Sequence, residues 1–215
     1  MILGIYGSGG AGREVKEIAE ELDKWEEIVF IDDTVEADIY QGISRAPFSI
    51  FKEKYSVNDS EIVITVGDPN IKELLYDRVK SEGYRLANII HKLAWVSPTA
   101  QLGEGVILRA GVVVNSNVFI GNNVTIQENS CIGHDSQIGD NCHISSMVAT
   151  GGFAKIGRNN FIGIGTGLRD RVSVGDMNVI GMGTVVTKDI GDNKLTYGNP
   201  MKIQEKPQDF SLFKH

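Results

Sequence analysis

Glu128–Ser145 reads "ENSCIGHDSQIGDNCHIS". Within it Ile132, Ile138 and Ile144 recur at a spacing of six, and Ile126 extends the series backwards. Neither the 3.6-residue period of a helix nor the two-residue alternation of a strand produces that spacing. Followed outward, the same step passes through Val96, Leu102, Leu108, Val114, Ile120, Ile126, Ile132, Ile138, Ile144, Thr150, Ile156, Ile162, Leu168, Val174, Ile180 and Val186. Thr150 alone is not aliphatic. Gly often stands at the next position (Gly103, Gly121, Gly133, Gly139, Gly151, Gly157, Gly163, Gly175, Gly181). It reads as a tight corner that requires positive φ. Two positions before the aliphatic residue the side chains are small or β-branched, as at Ala100, Val112, Ser130, Ser136, Cys142 and Ala154. An inward wedge beside a corner has little room.

A six-residue repeat of this kind predicts a parallel β-helix, with each hexad forming one face of a triangular prism and three hexads forming a coil. The register runs without insertion from Val96 to Val186, so no long loop is expected to protrude.

The residues before about 90 follow other periods. "ILGIY" (Ile2–Tyr6) is a short apolar strand leading into "GSGGAG", and Val15, Ile18, Ala19 and Leu22 then recur at helical spacing. "EIVFIDD" reads as a second strand ending at Asp32 and Asp33, and "EIVITVGDP" as a third, followed by a helix that stops at Gly83. Strands alternating with helices imply a small parallel sheet. The expected division is a Rossmann-like α/β domain over 1–90 and a β-helix over 91–215. Gly7-x-Gly9-x-x-Gly12, with Asp32 about twenty residues on, fits the dinucleotide fingerprint. The region is nevertheless shorter than a full two-half dinucleotide fold.

A formal net charge of −7 argues against a nucleic-acid or anionic-membrane surface, while a local basic patch could still hold a phosphorylated small molecule. Cys131 and Cys142 match no zinc or redox spacing and read as small buried fillers. The N-terminus shows neither a signal peptide nor a membrane span, so a cytoplasmic setting is expected.

Chemistry concentrates at His134. Two positions after Ile132 it falls on a corner, pointing outward, and imidazole is the side chain whose ordinary pKa suits a general base. Asp135 next to it could orient the ring and stabilise its protonated form. His143 lies half an eighteen-residue coil away and so on a different side of the prism. Gly151–Gly152 coincide with the break at Thr150, where bare backbone could present N–H groups to developing oxyanion charge. No cysteine or serine sits in a nucleophile-plus-base motif, which favours direct transfer over a covalent intermediate. A metal site of three histidines at an interface would find only His134 and His143 in the prism, so no metal is expected.

"GSGGAGRE", "FIDD", "VGDPN", "IGHD", "GDNCHIS", the Gly151–Gly152 pair and "YGNPMKI" occur in one order, and together they resemble the PglD/NeuD group of bacterial sugar acetyltransferases over nearly the whole chain. The resemblance implies a left-handed β-helix, acetyl-CoA as cosubstrate, a nucleotide-linked sugar as acceptor, and a homotrimer with acetyl-CoA between adjacent prisms. It makes His134 the base and Asp135 its partner. By the resemblance Gly152, Ile164 and Met182 would line the acetyl-CoA groove. His143 is either a cofactor contact from a neighbouring subunit or a purely structural residue, and Lys188 and Lys202, as cations, are candidate partners for the CoA phosphates. Gly7, Ser8, Gly9, Gly10 and Gly12 would lie near the diphosphate, and Asp32 and Asp33 near base or ribose. Gln127 stands where the group usually has Asn, seven residues before the histidine, and would contact the sugar. The implied activity is N-acetylation of an amino sugar. The alternatives are O-acetylation of a sialic acid or other sugar hydroxyl, and a non-catalytic trimer that binds nucleotide sugars.

Overall fold

The computed structural model describes residues 1–207 and 209–213. The first part is built from β1 (Ile2–Tyr6), α1 (Gly10–Leu22), β2 (Glu27–Ile31), β3 (Asp38–Tyr40), β4 (Ile43–Ala46), α2 (Phe48–Lys54), β5 (Ser60–Ile64), α3 (Pro69–Ser81) and β6 (Arg85–Leu86). The sheet order is β3-β4-β2-β1-β5-β6, parallel except for the β3/β4 hairpin. The strands are apolar because both faces are covered. On one face Val15, Ile18 and Ala19 of α1 pack with Leu3, Ile5 and Val63, and on the other Phe48, Phe51 and Val79 pack with Ile62 and Ile64. Asp68 caps α3 through the N–H groups of Asn70 and Ile71, and Gly83 ends its final turn at φ 83°. The hairpin and α2 carry no strong periodic signal in sequence.

The prism is a left-handed β-helix of three sheets whose strands pair in parallel with those eighteen residues on, as in Ile107↔Thr125, until the last coil. There the step shortens to sixteen (Val179↔Leu195, Val174↔Ile190), and an antiparallel hairpin, Lys194–Tyr197 with Lys202–Glu205, ends the first face. The first face begins one hexad earlier than Val96, at Ile89–Ile90. It continues through Ile107–Leu108, Thr125–Ile126, His143–Ile144, Phe161–Ile162 and Val179–Ile180 to Lys194–Tyr197 and Lys202–Glu205. The second face runs from Trp95–Val96 to Val185–Val186, and the third from Gln101–Leu102 to Ser173–Val174. The second residue of each short strand points inward. From Leu108 to Val186 these residues are buried, and each aliphatic one contributes about 1.5–3 kcal/mol of burial energy. Polar wedge residues are satisfied by backbone carbonyls: Ser130 Oγ donates to Ser145 O, and Ser136 Oγ to Gly151 O.

Two expectations need correction. The glycines that follow the aliphatic residue are not the positive-φ corners; that conformation falls two residues later, at Asn117, Asn123, Asn129, Asp135 and their equivalents. Asn and Asp tolerate it better than most side chains. The glycines answer a different demand, the closeness of successive coils: a Cβ on Gly133 would stand 2.5 Å from Gly151 C, and one on Gly151 2.4 Å from Asp170 N. The cysteines also differ from each other. Cys142 is buried in the wedge row, whereas Cys131 is half-buried at an outward position of the second face.

The α/β domain covers the first face. Ile89 and Ile107 join the α1 core, and α3 lays Lys72 on the prism, fully buried, with Nζ donating to Thr125 Oγ1 at 2.9 Å. Asn123 Nδ2 donates to Lys72 O, and Glu73 meets Asn159 and Arg158. Burial lowers the Lys72 pKa from 10.5 to about 7. Between those values the unfolded chain holds a proton that the folded one has released, so stability rises with pH across that window and this contribution is lost as pH falls toward 7. Thermal unfolding of the wild type is expected to shift upward between pH 7 and pH 10 relative to Lys72→Met. Identical pH profiles for the two proteins would show that the amine is not desolvated.

Candidate active site

His134 sits on the edge that joins the second face to the third, its side chain 58% exposed. Asp135 beside it is in the left-handed conformation (φ 57°), which turns its carboxylate back toward the ring. Asp135 Oδ2 lies 2.8 Å from His134 Nδ1, and Asn117 Nδ2 donates to the other oxygen at 3.1 Å. The bonds from His134 and Asn117 hold the Asp135 carboxyl below its ordinary pKa. An ionised carboxylate only accepts, so the imidazole proton belongs on Nδ1 and the Nε2 lone pair is left for a substrate proton.

Neighbouring coils position the ring. Phe153 meets it edge-on with centroids 5.2 Å apart, and Arg171 lies over the Phe153 ring at 4.3 Å. Gly152 lies beneath the imidazole: a Cβ there would stand 2.6 Å from Cε1 and 2.7 Å from Nε2. Of the glycine pair, Gly151 gives its N–H to Leu168 O, so Gly152 is the member that serves the histidine. Thr150 is no mere gap in the register, since its hydroxyl accepts from Gly133 N at 2.9 Å. The hexad pattern does not flag Asn117, Phe153 or Arg171 as site residues. Steps of eighteen from Asp135 reach all three.

The other candidates divide between two edges. His134, Gly152 and Lys188 share the edge between second and third faces, at eighteen-residue steps through Asp170. Gln127, Ile164 and Met182 lie along the opposite edge, between first and second faces, with Ile164 and Met182 exposed. Lys202 is exposed on the last strand of the first face. Within one chain, therefore, the histidine edge and the Met182 edge are separated by the width of the second face.

His143 is on the first face, away from His134, and only 7% exposed. Its ring stacks on Phe161 (centroids 5.2 Å apart, interplanar angle 7°), its Nδ1 is buried without a hydrogen-bond partner, and Cε1 lies 3.8 Å from where a Gly67 Cβ would be. Burial, with Lys72 and Arg109 nearby, lowers its pKa to about 3, so the ring stays neutral.

In the α/β domain Gly7 is at φ 109°, and a Cβ on Gly12 would fall 1.9 Å from Gly7 O, so both positions demand glycine. Gly9 is the N-cap of α1, no side chain caps that end, and a Cβ on Gly9 meets nothing within 4 Å. Beside this open space with Gly10, Ser8 Oγ donates to Asp32 Oδ2, and Thr34 donates to Oδ1. Asp33 is engaged by the fold although exposed: it accepts from Tyr6 Oη, Arg78 Nη1 and Phe48 N. The structure therefore puts Asp32 at the loop and spends Asp33 on the fold.

A glycine-loop α/β domain ahead of a hexapeptide prism with a carboxylate-held histidine on its edge defines a two-part acyltransferase class. Residues 3–79 match the family model of the PglD N-terminal domain, and residues 117–152 match the bacterial transferase hexapeptide (six repeats). The acetyltransferase domain of PglB from Neisseria gonorrhoeae, solved with acetyl coenzyme A, is 30% identical. That match covers 94% of this chain and 98% of the other, with a TM-score of 0.88. Perosamine N-acetyltransferase from Caulobacter crescentus, solved with CoA and GDP-perosamine, is 27% identical over 96% of this chain and 98% of its own, with a TM-score of 0.89. WeeI from Acinetobacter baumannii shares the fold at 24% identity, covering 95% of this chain and 100% of its own with a TM-score of 0.89. The chain belongs to this family of PglD-type hexapeptide-repeat acetyltransferases.

The contact under the histidine generates a prediction. Gly152→Ala must displace the imidazole, and a misplacement near 1 Å costs up to about a hundredfold in rate. Turnover is expected to fall by about ten- to a hundredfold with the circular-dichroism spectrum unchanged. Wild-type turnover in this variant would mean that the His134 ring does not lie over Gly152 during catalysis.

Proposed function

We propose that the protein transfers an acetyl group from acetyl-CoA to the amine of a nucleotide-linked sugar, with His134 as general base. The observation that carries the reading is the Asp135-held imidazole, whose Nε2 is free above Gly152. The amine nitrogen attacks the thioester carbonyl, Nε2 takes the amine proton as the C–N bond forms, and the C–S bond breaks to release CoA as thiolate. The proton then passes from the imidazolium to that thiolate or to water. Amine rather than hydroxyl acetylation is supported by the likeness to a perosamine N-acetyltransferase solved with its nucleotide sugar.

The two units divide the work near residue 90. The open space at Gly9, the uncapped α1 N-terminus and Asp32 suit a nucleotide diphosphate. The prism edges suit acetyl-CoA. Lys188, three coils above His134, stands ~14 Å along the edge at the usual strand spacing, comparable to the length of a pantetheine arm. The groove is incomplete in one chain, because Ile164 and Met182 line the opposite edge.

A trimer resolves this. Outward positions of the second face carry Trp95, Val113, Cys131, Ala149, Gly167 and Val185, an uncharged row with no covering element among the described residues. Packing such faces around a threefold axis parallel to the prism brings the histidine edge of one copy to the Met182 edge of the next. Among the described residues no helix is long and apolar enough to cross a membrane.

His134→Asn is expected to lower kcat by about two to four decades, the usual loss for a general base, in an assay of CoA thiol release from acetyl-CoA with nucleotide amino sugars. Turnover close to wild type would remove the residue from the mechanism. Gly9→Leu is expected to raise KM for the sugar while calorimetric acetyl-CoA affinity stays within about threefold, well under the 1.4 kcal/mol of a tenfold change. The reverse pattern would exchange the roles of the two units. Light scattering should give a trimer mass, and full activity in a monomer would contradict the shared groove.

A further inference from the structure

A buried charge at the seam between the two units has no role in the chemistry above. Arg109 follows strand Ile107–Leu108 on the same edge as Gln127, one coil below it, and its residue is only 4% exposed. Its Nη1 binds Glu14 of α1 and, at 3.0 Å, Glu128. Its Nε is buried and has no partner. Buried guanidinium donors are normally all satisfied, and one left over points to a missing acceptor.

Arg109 forms part of the wall of a cavity of about 200 Å³, room for one sugar ring, that is also lined by Glu14, Glu17, Glu21, His91 and Glu128. Glu128 is held in place: Oε1 accepts from Arg109, and Oε2 accepts from Ser146 Oγ at 2.9 Å. Burial pushes its pKa up, but its backbone N–H, Arg109 and Ser146 outweigh that and leave it lowered, so it is ionised. Four carboxylates against one guanidinium make the lining acidic.

The cavity is lined by both units, with Glu14, Glu17 and Glu21 from α1 and His91, Arg109 and Glu128 from the prism. Glu14 lies in the opening turns of the helix whose N-terminus faces the glycine loop. Glu128 adjoins Gln127 and belongs to the same coil as His134. A threefold axis parallel to the prism preserves height, so the coil holding Glu128 in one copy is level with His134 of the partner subunit. The seam thus joins the helix that follows the glycine loop to the coil that carries His134.

We propose that Glu128, Arg109 and Glu14 form the seat of the acceptor's sugar ring, with Arg109 Nε donating to one ring substituent and the Glu128 carboxylate accepting from its neighbour. The seat selects a ring that carries hydroxyl or amino groups and rejects one that carries a carboxylate. It rests on the nucleotide-sugar reading above, and it decides between that reading's two acceptor classes, the uncharged or cationic amino sugar against the acidic sugar. Glu128 is a positioning residue and takes no proton in the transfer.

The test uses the full-length protein with acetyl-CoA and two probe sets, UDP- and GDP-linked amino sugars and nucleotide-linked acidic sugars. Wild type is expected to favour the former by at least a hundredfold in kcat/KM. Glu128→Gln, which keeps the shape and one acceptor oxygen, is expected to raise KM for the amino sugar about tenfold and narrow that preference, with KM for acetyl-CoA unchanged. Glu128→Asp should recover part of the loss. Thermal unfolding of each variant separates a folding defect, which would move both KM values and kcat together. Turnover on the amino sugars in the wild type with an unchanged sugar KM in Glu128→Gln overturns the seat alone, whereas a preference for the acidic sugar overturns the seat and the amine acceptor together. No wild-type turnover on any nucleotide sugar overturns the acetyl-transfer reading on which it rests.

Discussion

Successive coils of the prism lie so close that the residue after each inward aliphatic often cannot carry a Cβ. At Gly121, Gly133, Gly139, Gly151 and Gly163 an added carbon would fall 2.3–2.5 Å or, at Gly139, 2.7 Å from the next coil. That closeness is set by the eighteen-residue hydrogen-bond ladder, which leaves no freedom to slide. A side chain on an edge is consequently supported by residues exactly one coil away in register. Asp135 gains Asn117 from the coil on one side, and His134 gains Gly152 and Phe153 from the coil on the other. The rigidity of the His134 edge comes from the scaffold's repeat.

The three faces have different fates, and the function follows from the difference. The first is covered by the α/β domain, which buries Ile89, Ile107 and Thr125 and encloses His143. The third carries outward Gln101, Phe119, Gln137, Lys155 and Ser173 and is mostly polar. The second is uncharged, with small outward side chains apart from Trp95, and no element covers it among the described residues. Candidate site residues border it on both edges, so the trimer proposed above would cover this face and bring those edges together.

Docking of the α/β domain on the first face holds the glycine loop at a set distance from the prism edge. Lys72 is desolvated in that contact and has only a hydroxyl as side-chain partner, an arrangement that contributes little at neutral pH compared with the apolar contacts around it. Arg109, by contrast, is paired with carboxylates from both units, so the same seam that joins the domains concentrates charge where a substrate would pass. One interface therefore serves both cohesion and recognition.

Much was legible in sequence because it is local and periodic. The spacing of six from Val96 to Val186 determined the prism, its inward rows and the outward placement of His134, and Asp135 followed by adjacency. The glycine fingerprint located the loop before α1. What sequence spacing misassigned was the reason for the hexad glycines, since conformational freedom and close approach leave the same residue in the chain. Only the tertiary structure showed Gly152 under the imidazole, Asp33 tied to Tyr6, Arg78 and Phe48, His143 enclosed beneath its own domain, and Arg109 with an unpaired donor beside Glu128. Each of those depends on a contact between segments distant in the chain, from coil to coil or from helix to prism, and a periodic pattern records which way a side chain points but not what it meets there.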